Sequence, residues 1–176
     1  MESPTTQNEV QFSDAAMAEI RRYISHYPAD RKKSALLPIL HIAQAEFGGW
    51  VSPEVQDKVA EILDIQPIEV YEVATFYTMF NLKPVGKHVL EVCRTGPCML
   101  RGADHLIEHL ESRLGCHVGE TSADGLFTLK TVECLAACGM GPMLQIHEDY
   151  HENLDPESMD KLLEDLRNKA AAKQSN

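Results

Sequence analysis

Over residues 1–80 the apolar positions recur every three or four residues, the period of helices that bury one face. Ser13-Asp14 can cap a helix carrying Met17, Ile20, Tyr23, Ile24 and Tyr27, and Pro28 ends it. A second helix is expected over about 34–47, with Leu36, Leu37, Ile39, Leu40, Ala43 and Phe47 inward and Gly48-Gly49 as its stop. Pro38 fits there only near the first turn, which leaves the N-terminal boundary open. Ser52-Pro53-Glu54 restarts the pattern with a cap, a proline at the first helical position and an acid near the positive helix end. Val55, Val59, Ile62 and Leu63 form the third stripe. Pro67 begins a fourth helix through Val70, Tyr71, Val73, Ala74, Phe76 and Tyr77. The segment predicts a small helical array.

The pattern breaks at residues 81–87, which read as a linker, and the period then changes. Residues 88–92 predict a short strand that delivers Cys93. Residues 99–114 predict a helix with Leu100, Ala103, Leu106, Ile107, Leu110 and Leu114 inward and Gly115 as its end. After the turn at Asp124-Gly125, residues 126–133 predict a Thr-, Phe- and Val-rich strand that delivers Cys134. Residues 142–147 predict a third strand, Glu148-Asp149 a turn, and residues 150–153 a short fourth strand. Asp155-Pro156-Glu157 caps a last helix with Met159, Leu162, Leu163 and Leu166 inward, and the tail 170–176 is expected to fray. The expected class is α+β: a helical domain over 1–80, a linker over 81–87, and a β-α-β-β-β-α domain over 88–176.

Composition changes this picture little. The 176 residues are 44% hydrophobic and 24% charged, ordinary for a soluble globular chain. The formal net charge of −11 argues against nucleic acid as a partner, because phosphate binding needs basic patches. Residues 148–165 hold eight acidic side chains against one basic, Lys161. A solvated face is the plain expectation; the alternative is a docking surface for a basic partner. No apolar run has the length of a membrane span, and the N-terminus has neither a basic region nor an apolar one. A cytoplasmic protein is expected.

The cysteines carry the chemistry. Five in a chain without an export signal do not suggest disulfides. Four form two tight pairs, Cys93-x4-Cys98 and Cys134-x3-Cys138, separated by thirty-five residues. A strand–helix–strand crossover makes its two strands parallel, so both end on one edge of the sheet. Cys93 and Cys134 end the two strands, which brings both pairs to that edge. Thiolates suit Fe–S clusters or zinc. Cys98 is expected at the N-terminus of the helix over 99–114, where partial positive charge favours thiolate. Gly96, Gly139 and Gly141 would let N–H groups approach sulfur, and Arg94 is the one charged side chain in the two loops. Spacing alone leaves [2Fe–2S], [4Fe–4S] and structural zinc open.

The run VCRTGPCMLRGA (92–103), followed by DGLFTLKTVECLAACGMGP (124–142), resembles the E-type subunit of NADH–quinone oxidoreductase, respiratory complex I. LLPILHIAQ (36–44) and VYEVATFYTMF (70–80) resemble the same family, and the likeness covers about residues 13–167. It implies a thioredoxin-like [2Fe–2S] ferredoxin domain behind a helical domain, with the metal ligated by Cys93, Cys98, Cys134 and Cys138. It also implies a partner: an F-type flavoprotein subunit that binds FMN and NADH, with further peripheral-arm subunits. In that family the cluster sits near the flavin but off the main electron path. Related subunits serve NAD-linked hydrogenases and formate dehydrogenases. The chain carries no complete active site; it would exchange one electron with the flavin, at the cytoplasmic face of the inner membrane through its complex. Locality of each pair assigns one iron to Cys93 and Cys98 and the other to Cys134 and Cys138. The competing readings are a zinc-binding adaptor and a thiol oxidoreductase, the latter lacking a C-x-x-C motif.

Other side chains have plainer expectations. Cys116 is read as a packed thiol outside the site. His105 and His109, four apart on one helix, can in principle share a metal but are expected at the surface. Phe76, Tyr77 and Phe80 are expected in the core, with a contact face for the flavoprotein as the alternative. Pro142 is expected to be cis, as often found at this place in thioredoxin-like folds.

Overall fold

The computed structural model describes residues 10–174. The chain divides after Pro84 into two compact units, and its class is α+β.

In the first unit, Ser13 caps α1 (Asp14–Ile24), its hydroxyl accepting from the Ala16 N–H at 3.2 Å. A 3₁₀ segment, Ala29–Ala35, leads into α2 (Leu36–Glu46). The second helix therefore starts later than the apolar pattern suggests, and Pro38 falls in its first turn, where its missing N–H has no partner to lose. Ser52 caps α3 (Pro53–Leu63), and α4 spans Pro67–Phe76. Ile20, Leu36, Ile39, Leu40, Val55, Val59, Leu63, Val70, Ala74 and Phe80 form one buried core. Phe76 departs from the expected stripe and is 77% exposed. It lies two positions beyond Ala74, about 200° around the helix, and so faces away from the core. Phe80 is buried, with its ring 5.0 Å from that of His41.

The second unit is a four-stranded sheet in the order β2-β1-β3-β4. Strand β1 (His88–Cys93) runs parallel to β2 (Phe127–Val132), with Cys93 opposite Val132. Strand β3 (Leu144–Ile146) lies antiparallel to β1, and β4 (Asp149–His151) antiparallel to β3. Both late strands are shorter than expected. Ile146 pairs with Asp149, so the turn is His147-Glu148, one residue early, with His147 at φ 56.

The expected helix over 99–114 is two helices, α5 (Gly96–Leu100) and α6 (Ala103–Leu114). Gly102, at φ +100, breaks them, a conformation that a side chain would strain. The break resets the helical period. Leu100, expected inward, is 91% exposed, while Ala103, Leu106, Leu110 and Leu114 are buried. Helix α7 (Pro156–Gln174) runs through much of the tail expected to fray. Its alanines are strong helix formers, and Ala170 is buried. Ser175 and Asn176 lie outside the described residues.

Leu90, Val92, Leu106, Leu110, Phe127, Leu129, Leu144, Ile146, Met159 and Leu163 join sheet and helices in the second core. Asp160 ties α7 to α6 by accepting from Arg113 Nε at 2.8 Å and meeting His109 Nε2 at 2.9 Å. The late acids have local partners here: Asp155 accepts from the Ser158 N–H, and Glu157 pairs with Lys161. No helix among the described residues is long and apolar enough to cross a membrane.

Gly86, within the stretch read as a linker, is clamped on β2. Its N–H donates to Thr128 Oγ1 at 2.7 Å, and a Cβ there would lie 2.8 Å from Phe127 N. Backbone cannot rotate away as a side-chain tip can. Gly86→Ala is therefore expected to destabilise the second unit by about 1–3 kcal/mol. A urea midpoint equal to that of the parent chain would refute this account.

Candidate metal centre

Two parallel strands end side by side, and the loops beyond them carry the sulfurs. Cys93 is the last residue of β1. Its N–H donates to the Met143 carbonyl at 3.1 Å, and the Arg94 N–H donates to the Val132 carbonyl at 3.0 Å. The start of the first cysteine loop is thus bonded to β2 and to the residue that precedes β3. Cys93 and Cys98 are buried with Ala103, Leu135 and Met143. Cys134 and Cys138 are exposed, on the loop that follows β2.

Cys98 does not begin the long helix. It sits inside α5, which the turn at Arg101-Gly102 separates from α6. The expected thiolate preference is also absent. Burial, a hydrogen bond with Cys93, and the charges of Cys93, Cys138 and Cys134 push the Cys98 thiol up to about 11. Burial pushes Cys93 up as well. Hydrogen bonds from the backbones of Thr95 and Leu135, and from Cys98 and Thr95 side chains, outweigh it and leave Cys93 lowered. The two buried thiols are thus shifted in opposite directions, and a metal that bound them would release the protons they carry.

The loops aim further groups at sulfur. Ala136 adopts φ 60, a left-handed conformation costing about 1–2 kcal/mol. That turn lets its N–H donate to Cys134 Sγ at 3.3 Å. Of the three glycines expected near sulfur, only Gly141 is closely packed: a Cβ there would lie 3.0 Å from Cys98 Sγ, whereas at Gly96 and Gly139 it would meet open space. The Gly141–Pro142 bond is cis, as expected. Arg94 is exposed. The cation that braces the site is instead Arg101, whose Nε donates to the Gly141 carbonyl at 2.6 Å. Neither Ala136 nor Arg101 has a sequence signal of its own; Gly102, beside Arg101, marks the turn that aims it.

Cys116 lies apart. It is buried in the sheet–helix core, and its thiol donates to the Glu120 carbonyl at 3.8 Å. Burial, and then the charges of Glu120, Glu111 and Asp124, raise its pKa, so it is a poor nucleophile. Cys116→Ser is expected to leave the visible absorption of the purified chain unchanged; a bleached spectrum would make Cys116 part of the site. His109 is taken up by Asp160, and His105 faces Glu108 at 3.6 Å, so the two do not share a ligand position.

Among the described residues, no three His, Cys, Asp or Glu side chains converge on one ion position. The fit to a two-iron group rests on the donor set. One thiol pair is buried and in mutual contact, a second pair stands on the facing loop, and both are within electrostatic reach of each other. Gly141 leaves room beside Cys98 that a Cβ would fill, and backbone N–H groups offer charge stabilisation to sulfur.

A family model described as thioredoxin-like [2Fe–2S] ferredoxin matches residues 20–167. A mitochondrial NADH dehydrogenase [ubiquinone] flavoprotein 2 of Dictyostelium discoideum is 43% identical over 162 residues, 92% of this chain and 66% of its own length. The E-type subunit of NADH-quinone oxidoreductase from Rickettsia prowazekii (strain Madrid E) is 44% identical over 153 residues, 87% of this chain and 86% of its own. The crystal structure of an NAD+-reducing [NiFe]-hydrogenase in the air-oxidized state shares the fold. Its TM-score is 0.66 at 20% identity, over 76% of this chain and 23% of that one.

Proposed function

The chain belongs to the thioredoxin-like [2Fe–2S] ferredoxin family, and on that premise we propose that it is the [2Fe–2S] electron-transfer subunit of the NADH-oxidising module of an NADH–quinone oxidoreductase. It exchanges one electron with the FMN of a partner flavoprotein subunit, which also binds NADH. The module lies on the cytoplasmic side of the membrane, held there by its complex. One observation carries the reading: strands β1 and β2 run parallel and end in register at Cys93 and Val132, so that two distant cysteine pairs share one sheet edge.

In this reading Cys93, Cys98, Cys134 and Cys138 hold the cluster. When bound, a [2Fe–2S] group supplies a one-electron store, which lets a two-electron flavin pass its electrons singly. The chain's own residues set the conditions. Leu135, Met143 and Ala103 keep water from the buried pair. The Ala136 N–H donates toward Cys134 Sγ and stabilises negative charge there. Arg101 holds Gly141 against Cys98 by its bond to the Gly141 carbonyl. Hydride chemistry falls to the partner, which in this reading holds both NADH and FMN.

An absorption spectrum of the purified chain tests this. Visible bands that bleach with dithionite, with iron and sulfide in equal amounts, are the expected result. A colourless protein carrying stoichiometric zinc would overturn it. Co-purification with an FMN-containing subunit is expected from cell extract, and the remaining subunits of that complex distinguish a quinone oxidoreductase from an NAD-linked hydrogenase or formate dehydrogenase.

A further inference from the structure

His88 opens β1, and His147 stands in the turn between β3 and β4, 59 positions later. The fold brings their rings together. His88 Nδ1 and His147 Nε2 lie 3.2 Å apart, with the rings inclined at 67° and their centroids 5.4 Å apart. We propose that this pair is a binding site for a divalent transition-metal ion of the zinc or nickel type, which takes the place of the proton the two nitrogens share.

The nitrogen spacing suits an ion. In a hydrogen bond between two imidazoles, one N–H points at the lone pair of the other ring. When that proton moves to the other nitrogen of its ring or to solvent, two sp2 lone pairs are left facing each other. Imidazole nitrogens bound tetrahedrally to zinc at about 2.0–2.1 Å are separated by about 3.3 Å, close to the spacing already present. An ion at that bond length sits to one side of the line between the nitrogens, so each ring turns about its side-chain bonds to meet it while the backbones stay in place, and water fills the remaining positions. Imidazole is a ligand that zinc, copper and nickel all accept.

The His88 ring and the His147 backbone are held in place. His88 is half-buried, paired in register with Phe127 on β2, and its ring lies 5.8 Å from the Phe127 ring. His147 is exposed, which admits an ion from solvent. Its turn is fixed by φ 56 and by Gln145 Nε2 donating to the His147 carbonyl at 2.7 Å. The helical pair His105 and His109, which sequence spacing favours, is already committed to Glu108 and Asp160. The site is also separate from the cysteines. Cys93 ends the strand that His88 begins, about 17 Å away at the rise of an extended chain. A bound ion would join β1 to the β3–β4 hairpin at the end of the sheet remote from the sulfurs.

Calorimetric titration of the chain as purified with Ni2+ tests the site, comparing parent, His88→Gln, His147→Gln and His105→Gln. The differences isolate the pair whatever the cysteines hold. A saturable site is expected in the parent, unchanged in His105→Gln and weakened at least tenfold in each of the other two. Saturating Ni2+ is expected to raise the thermal midpoint of the parent by about 5 °C, and this rise is lost in both variants. If the parent shows no saturable site, or if either His88→Gln or His147→Gln binds as tightly as the parent, the pair is a hydrogen-bonded contact only and the proposal fails.

Discussion

Cys98→Ser is expected to abolish the visible absorption of the purified chain and to reduce its iron from about two atoms per chain to nearly none. The hydroxyl is close to the thiol in size but is a harder and poorer donor to iron. Of the four paired cysteines, Cys98 also has the least freedom. It is 1% exposed, in contact with Cys93, and closely approached by Gly141. No neighbouring side chain stands ready to replace it, since Cys116 lies in a different core cluster. The loss should extend to stability, because a group that binds only the folded chain adds its binding free energy to folding. Absorption, iron content and the thermal midpoint measure the three effects. A variant that keeps full absorption would remove Cys98 from the ligand set.

Phe127→Ala is the second large expectation, a destabilisation of about 3–5 kcal/mol, the range for deleting a fully buried aromatic ring. Phe127 begins β2, is wholly buried, and packs under the guanidinium of Arg167, which lies 5.2 Å from its ring centre. Arg167 in turn lies 3.8 Å from Asp124, so truncation also leaves that ion pair without its platform. By contrast, Phe76→Ala should change stability by no more than about 0.5 kcal/mol, because its ring is already in solvent. Urea unfolding followed by circular dichroism compares the two. A Phe127→Ala midpoint within error of the parent would mean that the core of the second unit does not depend on this ring.

Much of this was legible in the chain because the relevant signals are local. Ser13 and Ser52 cap helices where a hydroxyl precedes an apolar stripe. The change from a three-to-four spacing to short β-branched runs marks where helices give way to the sheet. The parallel pairing of β1 and β2 follows from the handedness of a strand–helix–strand crossover, which depends on chain chirality and not on particular side chains. That is why two cysteine pairs so far apart in the chain point to one edge.

Other features escaped for physical reasons. Gly102 breaks the helix after Arg101, and a lone glycine can be absorbed in a helix or can end it; tertiary packing makes the choice. That break put Cys98 in a short helix of its own, apart from the long helix, turned Leu100 outward, and aimed Arg101 at Gly141. The protonation of Cys98 belongs to burial and to three neighbouring sulfurs, and neither exists until the chain is folded. The meeting of His88 with His147 depends on a hairpin turn one residue from where composition suggests it. Residue types and their spacing carry the choice of sulfur and the edge where it gathers, because ligand chemistry and crossover handedness are intrinsic to the chain. Which sulfur is buried, which N–H or cation faces it, and which histidines touch are set by non-local contacts, where a shift of one residue redirects a side chain.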